Sequence, residues 1–188
     1  PRSTQGVSSA ASDVYKRQLK TSSIRFLVPW TIQGLWVFLT MIVVIVINTQ
    51  ANSAPALGIW DGIGLSIWIL GFSIEVIADN QKTVFNSEPN NQGKWIDCGL
   101  WSYSRHPNYL GEVLLWTGIA FFGASCFTGL EKIAWVSPLF IYVLLTKISG
   151  TPILDRRALE KWGDDSEYQI YRKNTPLLFP RFFKKNES

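Results

Sequence analysis

The sequence predicts an all-α fold, a polytopic helical membrane protein with about four transmembrane helices and a cytoplasmic, amphipathic C-terminal segment. Three observations carry this. Hydrophobic residues make up 47% of the chain and nine residues are Trp, yet the apolar residues are gathered into long runs separated by polar loops. The first of those runs is long enough to cross a bilayer without a single charge. Lys and Arg gather in alternate loops, the pattern that orients membrane helices.

Residues 1–18 stand apart from the rest. "SSAASDVYKRQ", Ser8 to Gln18, is polar and aperiodic, with its basic pair at the end, which is the reverse of a secretory signal. Read back into codons, it is one frame of a common tagmentation sequencing adapter, and "PRST" fits the flow-cell primer upstream of it. Residues 1–18 are therefore set aside as an artefactual tail. Residues 19–188 are expected to be the C-terminal part of a single domain whose upstream helices are missing. Without the tail the formal net charge falls from +4 to about +2, too small an excess to argue for nucleic acid.

A span needs about 20 mostly apolar residues to cross some 30 Å of hydrocarbon. Phe26 to Ile47 meets this and carries no charge. Leu57 to Ala78 is the second span, with Asp61 near one end and Glu75 near the other. The third runs from about Pro107 to Ser125, and the fourth from about Ile133 to Ile148. A buried helical core is the plainer explanation of such runs, but the first is too long and too free of charge to favour it.

The loop between the first two spans has no Lys or Arg, and the loop between the last two has only Lys132. The 79–106 loop holds Lys82, Lys94 and Arg105, and the tail beyond Gly150 is rich in both residues. That asymmetry puts the 79–106 loop and the C-terminus in the cytoplasm, with a bacterial inner membrane as the expected setting. Trp30, Trp60 and Trp135 near span ends suit interfacial anchoring. Cys98 and Cys126 form no metal-ligand pattern and no disulfide framework, and no metal is expected.

Three polar clusters converge on the cytoplasmic side. In the first, helical spacing puts Glu75, Asp79, Lys82 and Asn86 near one face at the inner end of the second span. Ionisable groups at membrane depth are costly, so by default they mark a functional site, although an interfacial ion-pair network explains them too. The second is "GLWSYSRHPNYLGE", with His106, the one histidine of the chain. Pro107 suits the first turn of a helix, which brings Asn108 and Glu112 onto one face with Tyr109 beside them. Arg105 and His106 then precede the helix at its positive end, a place that suits an anion such as phosphate. A capped helix start with a bystander His is the plainer alternative. His106, Tyr109 and Glu112 are the candidate catalytic groups. The third cluster holds Asp155, Arg156 and Arg157 just after the fourth span, followed by Tyr168, Tyr171 and Arg172 at helical spacing. A membrane-surface helix accounts for it equally well and is compatible with a roof over a ligand.

At "SYSRHPNYLGE" the sequence resembles a family. It is similar to the bacterial, domain-of-unknown-function branch of the steroid 5-alpha-reductase-like membrane proteins. It also resembles sterol C14/C7 reductases and, more distantly, isoprenylcysteine carboxyl methyltransferases. The likeness covers about Phe26 to Pro180 and includes Glu75 to Phe85, Gly99 to Glu112 and the closing "Y-x-x-Y…T-P…P". It implies a cofactor pocket facing the cytoplasm between the C-terminal helices. It implies cofactor contacts at Asp79 and Asn108, and a place for Glu112 near the nicotinamide end. Arg105, Arg156 and Arg157 would bind phosphate, and Tyr168 and Tyr171 would line the adenosine side. Glu75, Lys82 and His106 complete the candidate cofactor set.

The leading expectation is an NADPH-dependent reductase of a C=C bond in a lipid or steroid-like, hydrophobic substrate. The alternative is a methyltransferase using S-adenosylmethionine, whose sulfonium charge the acidic Glu75, Asp79 and Glu112 would serve. A non-catalytic membrane scaffold is the third class.

Overall fold

The computed structural model describes residues 23–50 and 56–180, with backbone only for residues 23–26. The expectation for residues 1–18 lies outside the described residues. The chain divides into two compact units, Pro1–Met41 and Ile42–Ser188. Among the described residues every regular element is helical. α1 spans Ser23–Thr49, α2 Ile59–Ser87, α3 Pro107–Phe122, α4 Val136–Val143, α5 Thr151–Trp162 and α6 Ser166–Asn174. Short 3₁₀ turns join them, and a π turn, Leu144–Ile148, continues α4.

Three stretches are long and apolar enough to cross a membrane, as an integral membrane protein requires: Leu27–Thr49, Ile59–Ser87 and Leu130–Trp162. The first two overlap the first two expected spans, starting one and two residues later and ending beyond them. α2 is longer than its apolar run, because Asp79, Lys82 and Asn86 extend the helix without breaking it. The expected third span, 107–125, forms α3 over only 16 residues. At 1.5 Å per residue that is about 24 Å, short of a full crossing. α3 stops because Gly123 takes the C-cap and a 3₁₀ turn follows at Ala124–Cys126. The expected fourth span lies within Leu130–Trp162, which is a 3₁₀ turn, α4, the π turn and, beyond Ser149-Gly150, α5.

α3 is the centre of the Ile42–Ser188 unit. One face meets α2 along four glycines. A Cβ on Gly64 would lie 2.7 Å from the Gly118 carbonyl oxygen, and one on Gly118 would lie 2.5 Å from the Trp68 nitrogen. Such backbone contact is how membrane helices approach without large side chains between them. A second face packs Leu110 and Val113 on Ile141 of α4 and on Leu178. The end of α3 brings Ala120 against Val43, Phe127 and Ala134. There the Ser137 hydroxyl, fully buried, accepts the Val43 N–H at 3.0 Å.

Candidate functional site

The segment between α2 and α3 is held down by Trp101. Its ring is buried with Ala78 and Ile96, and its indole N–H donates to the Ala78 carbonyl at 3.0 Å. The Lys82 ammonium lies 4.9 Å from the centre of that ring. From the other side, the Tyr171 hydroxyl donates to the Trp101 carbonyl at 2.9 Å. α6 starts where the sequence supplies an N-cap: the Asp165 carboxylate accepts the backbone N–H groups of Glu167 and Tyr168. That start fixes Tyr168 and Tyr171 one turn apart on the inner face. Burial pushes both phenols above their ordinary range, Tyr171 the more strongly, so both remain O–H donors at neutral pH.

α5 and α6 roof a cavity of about 280 Å³. Its cationic lining is Lys82, Lys94, Arg105, Arg157 and Lys161, and Asp155 is its acid. Its aromatic wall joins Trp95, Trp101, Trp162, Tyr168 and Tyr171. Trp95 sets its edge against Tyr168 at 5.3 Å and against Trp162 at 6.1 Å. The Trp162 indole N–H donates to the carbonyl of Gly93, a residue whose φ of 82° suits glycine. The Trp95 indole N–H is buried and has no acceptor among the described residues. In this cavity the positive groups outnumber the negative, flat rings are available for stacking, and two buried donors, Trp95 Nε1 and Arg105 Nε, are unmet among the described residues.

At the mouth of α3, Pro107 opens the helix and His106 holds the N-cap position, as the sequence predicts. The anion found there is the chain's own. One Arg105 terminal nitrogen donates to both Asp155 carboxylate oxygens at 3.1 Å, and His106 Nε2 lies 3.4 Å from Asp155 Oδ1. The imidazole stacks on the Tyr109 ring, with centres 5.5 Å apart and planes at 14°. His106 thus stands between the cavity and a second polar group on the α2–α3 seam.

That second group contains Glu75, Asp79, Asn108, Tyr109 and Glu112. Glu112 and Asp79 both lie in electrostatic reach of Glu75, and Asp79 reaches Tyr109 as well. The Trp116 indole N–H donates to Glu112 Oε1 at 2.9 Å. Glu75 Oε2 and Asn108 Oδ1 are buried acceptors with no donor among the described residues. The glycine seam makes this possible: a Cβ on Gly111 would lie 2.8 Å from the Glu75 Cβ.

The sequence-predicted residues therefore fall in two adjoining places. Lys82, Arg105, His106, Arg157, Tyr168 and Tyr171 line the cavity. Glu75, Asp79, Asn108, Tyr109 and Glu112 gather on the seam. Arg156 joins neither: it points outward, 83% exposed, and pairs with Glu160 one turn on at 3.0 Å. Sequence reasoning missed Trp95, Trp162 and Lys161 as cavity residues, and it gave Asp155 no role. "GKW" at Gly93 to Trp95, a turn glycine ahead of a cation and a ring, is the one signal that was available.

The chain matches the model of a family described as "Protein of unknown function (DUF1295)" over residues 10–175. It is 28% identical over 152 residues to an uncharacterized protein of Schizosaccharomyces pombe. The match takes in 70% of this chain and spans 42% of the length of that relative. No solved structure matches.

Proposed function

We propose a function for this chain, which belongs to the DUF1295 family: a membrane-embedded, NADPH-dependent reductase of a C=C bond in a lipid or steroid-like molecule. The observation that carries the reading is the cavity under α5 and α6, where five cations and five rings face one acid. A ligand with several phosphates and an aromatic base matches that lining, since Arg and Lys favour phosphate and flat rings favour a base. The resemblance to steroid 5-alpha-reductase-like proteins supports the same reading through Glu75 to Phe85 and "RHPNYLGE".

The unmet groups fit the cofactor. The Trp95 N–H, a buried donor, suits a phosphate, ribose or base acceptor, and Glu75 Oε2 and Asn108 Oδ1, buried acceptors, suit the N–H groups of a carboxamide. In this reading Arg157, Lys161, Lys82 and Lys94 bind phosphate, Tyr168 and Trp95 bear on the base, and Asn108, Glu75 and Glu112 orient the carboxamide. NADPH, when bound, supplies the hydride. His106 and Tyr109, stacked where the two places adjoin, hold protons at Nε2 and at the phenolic oxygen beside the reacting end.

The acidic trio Glu75, Asp79 and Glu112 is the observation that favours a cationic cofactor instead, and with it S-adenosylmethionine. S-adenosylmethionine carries no phosphate for the five cavity cations, so the basic lining favours NADPH over it. The test is isotopic. The protein in nanodiscs is incubated with a membrane-lipid extract and NADPH deuterated at the transferable position. The expected result is one deuterium on carbon in an apolar product. Transfer of a labelled methyl group from S-adenosylmethionine, with no deuterium transfer, overturns the reading.

A further inference from the structure

We infer that Asp155 is an internal competitor for the cavity's phosphate ligand. Its carboxylate holds Arg105, ties α5 to the start of α3, and yields Arg105 to an anionic ligand that enters the cavity. This rests on the nucleotide reading above and adds its regulation.

The geometry is specific. Asp155 is the cavity's acid, and it stands beside the cation that sequence reasoning would give to phosphate. Both its oxygens accept from the same Arg105 nitrogen at 3.1 Å, and one is 3.4 Å from His106 Nε2. The Arg105 and Asp155 side chains are 14% and 23% exposed, so water screens the pair only partly. Asp155 also lies where α3 presents its positive end, since Arg105 and His106 directly precede that helix. A phosphate binding there meets the same donors and is repelled by the same carboxylate.

The arrangement has a mechanical side. α5 follows an interruption of the helix at Gly150, where a Cβ would lie 2.3 Å from the Leu145 carbonyl oxygen. Beyond that interruption the roof is tied to the floor by Asp155, by the Trp162 bond to Gly93 and by the Tyr171 bond to Trp101. Of these three ties, Asp155 is the one built on charge, and so the one that a charged ligand can replace.

The experiment measures binding of an adenosine bisphosphate, and of adenosine as its uncharged counterpart, to the wild-type protein in nanodiscs and to Asp155→Asn, Arg105→Gln and the double variant. Asn keeps the size and a hydrogen-bonding oxygen. Removing a like charge at this range is expected to tighten bisphosphate binding about tenfold. Adenosine binding is expected to stay unchanged, and most of the gain to vanish in the Arg105→Gln background. A wild type that binds bisphosphate and an Asp155→Asn variant that binds it no tighter overturn the competitor role and leave the nucleotide cavity standing. A gain that persists undiminished without Arg105, or that extends to adenosine, overturns the competitor role as well. Binding of neither ligand by any form overturns the inference and the nucleotide reading together.

Discussion

Gly71 of α2 and Gly111 of α3 touch through their backbones: a Cβ added to either would lie 2.7 Å from the other's carbonyl oxygen. Gly64 and Gly118 repeat the contact seven residues along each helix, so the two helices are joined by backbone at both levels. The acids of the seam owe their nearness to this approach, because Glu75 and Glu112 each lie one turn or less from a seam glycine.

The seam yields a paired prediction on one helix. A Cβ on Gly64 would lie 2.2 Å from the Phe122 nitrogen, whereas nothing lies within 4 Å of one on Gly62. Gly64→Ala is expected to cost about 1–3 kcal/mol or more, since the clash is with backbone that cannot step aside. Gly62→Ala is expected to be neutral or to gain up to about 1 kcal/mol in helix propensity. Thermal unfolding in detergent checks both, and equal midpoints for the two variants would count against the seam.

Arg156 and Arg157 are neighbours in sequence and opposites in space. Arg157 lines the cavity, while Arg156 faces outward with Glu160. A charge-assisted bond to phosphate contributes about 1.5–3 kcal/mol, so Arg157→Gln is expected to weaken NADPH binding at least about tenfold. Arg156→Gln is expected to change it by less than about twofold, as suits an exposed pair. Titration of each variant with NADPH decides, and equal losses would dissolve the distinction.

Tyr171 gives a prediction about pH. Burial raises its phenol above the ordinary value near 10, so the native state keeps a proton that the unfolded chain releases. The native state then binds more protons above about pH 10, and stability falls as pH rises through that range. Its contribution is fully present below about pH 10. Tyr171→Phe loses the bond to the Trp101 carbonyl, a cost of about 1 kcal/mol at neutral pH, and flattens the alkaline decline. Unfolding midpoints between about pH 8 and 11 check this. An alkaline decline of the same steepness in both proteins contradicts it.

Much of this architecture is legible in the chain. Long apolar runs locate α1 and α2, Pro107 marks the start of α3, and the spacing of Tyr168 and Tyr171 predicts a helix that presents both rings together. What escapes is whatever depends on a partner element. The glycines at 64, 71, 111 and 118 show an equal spacing, but only pairing reveals that they face each other. Helical spacing cannot decide between Arg156 and Arg157, because it leaves open which face of α5 turns inward. Asp155 reads as one acid in a basic segment until Arg105, 50 residues earlier, comes to lie beside it. The end of α3 is not legible from hydropathy, because the apolar run continues past Gly123 into a 3₁₀ turn.

The claim at the centre of the account is that the cavity beneath α5 and α6 binds a phosphate-bearing nucleotide. Trp95, Trp101 and Trp162 line it, so a reduced nicotinamide cofactor bound nearby accepts their excitation energy. The measurement is a titration of the protein in nanodiscs with NADPH, following the quenching of Trp emission, with S-adenosylmethionine as competitor. The account predicts saturable quenching that S-adenosylmethionine does not reverse and that is weakened in Arg157→Gln. Absence of quenching by NADPH, together with saturable binding of S-adenosylmethionine, would contradict it.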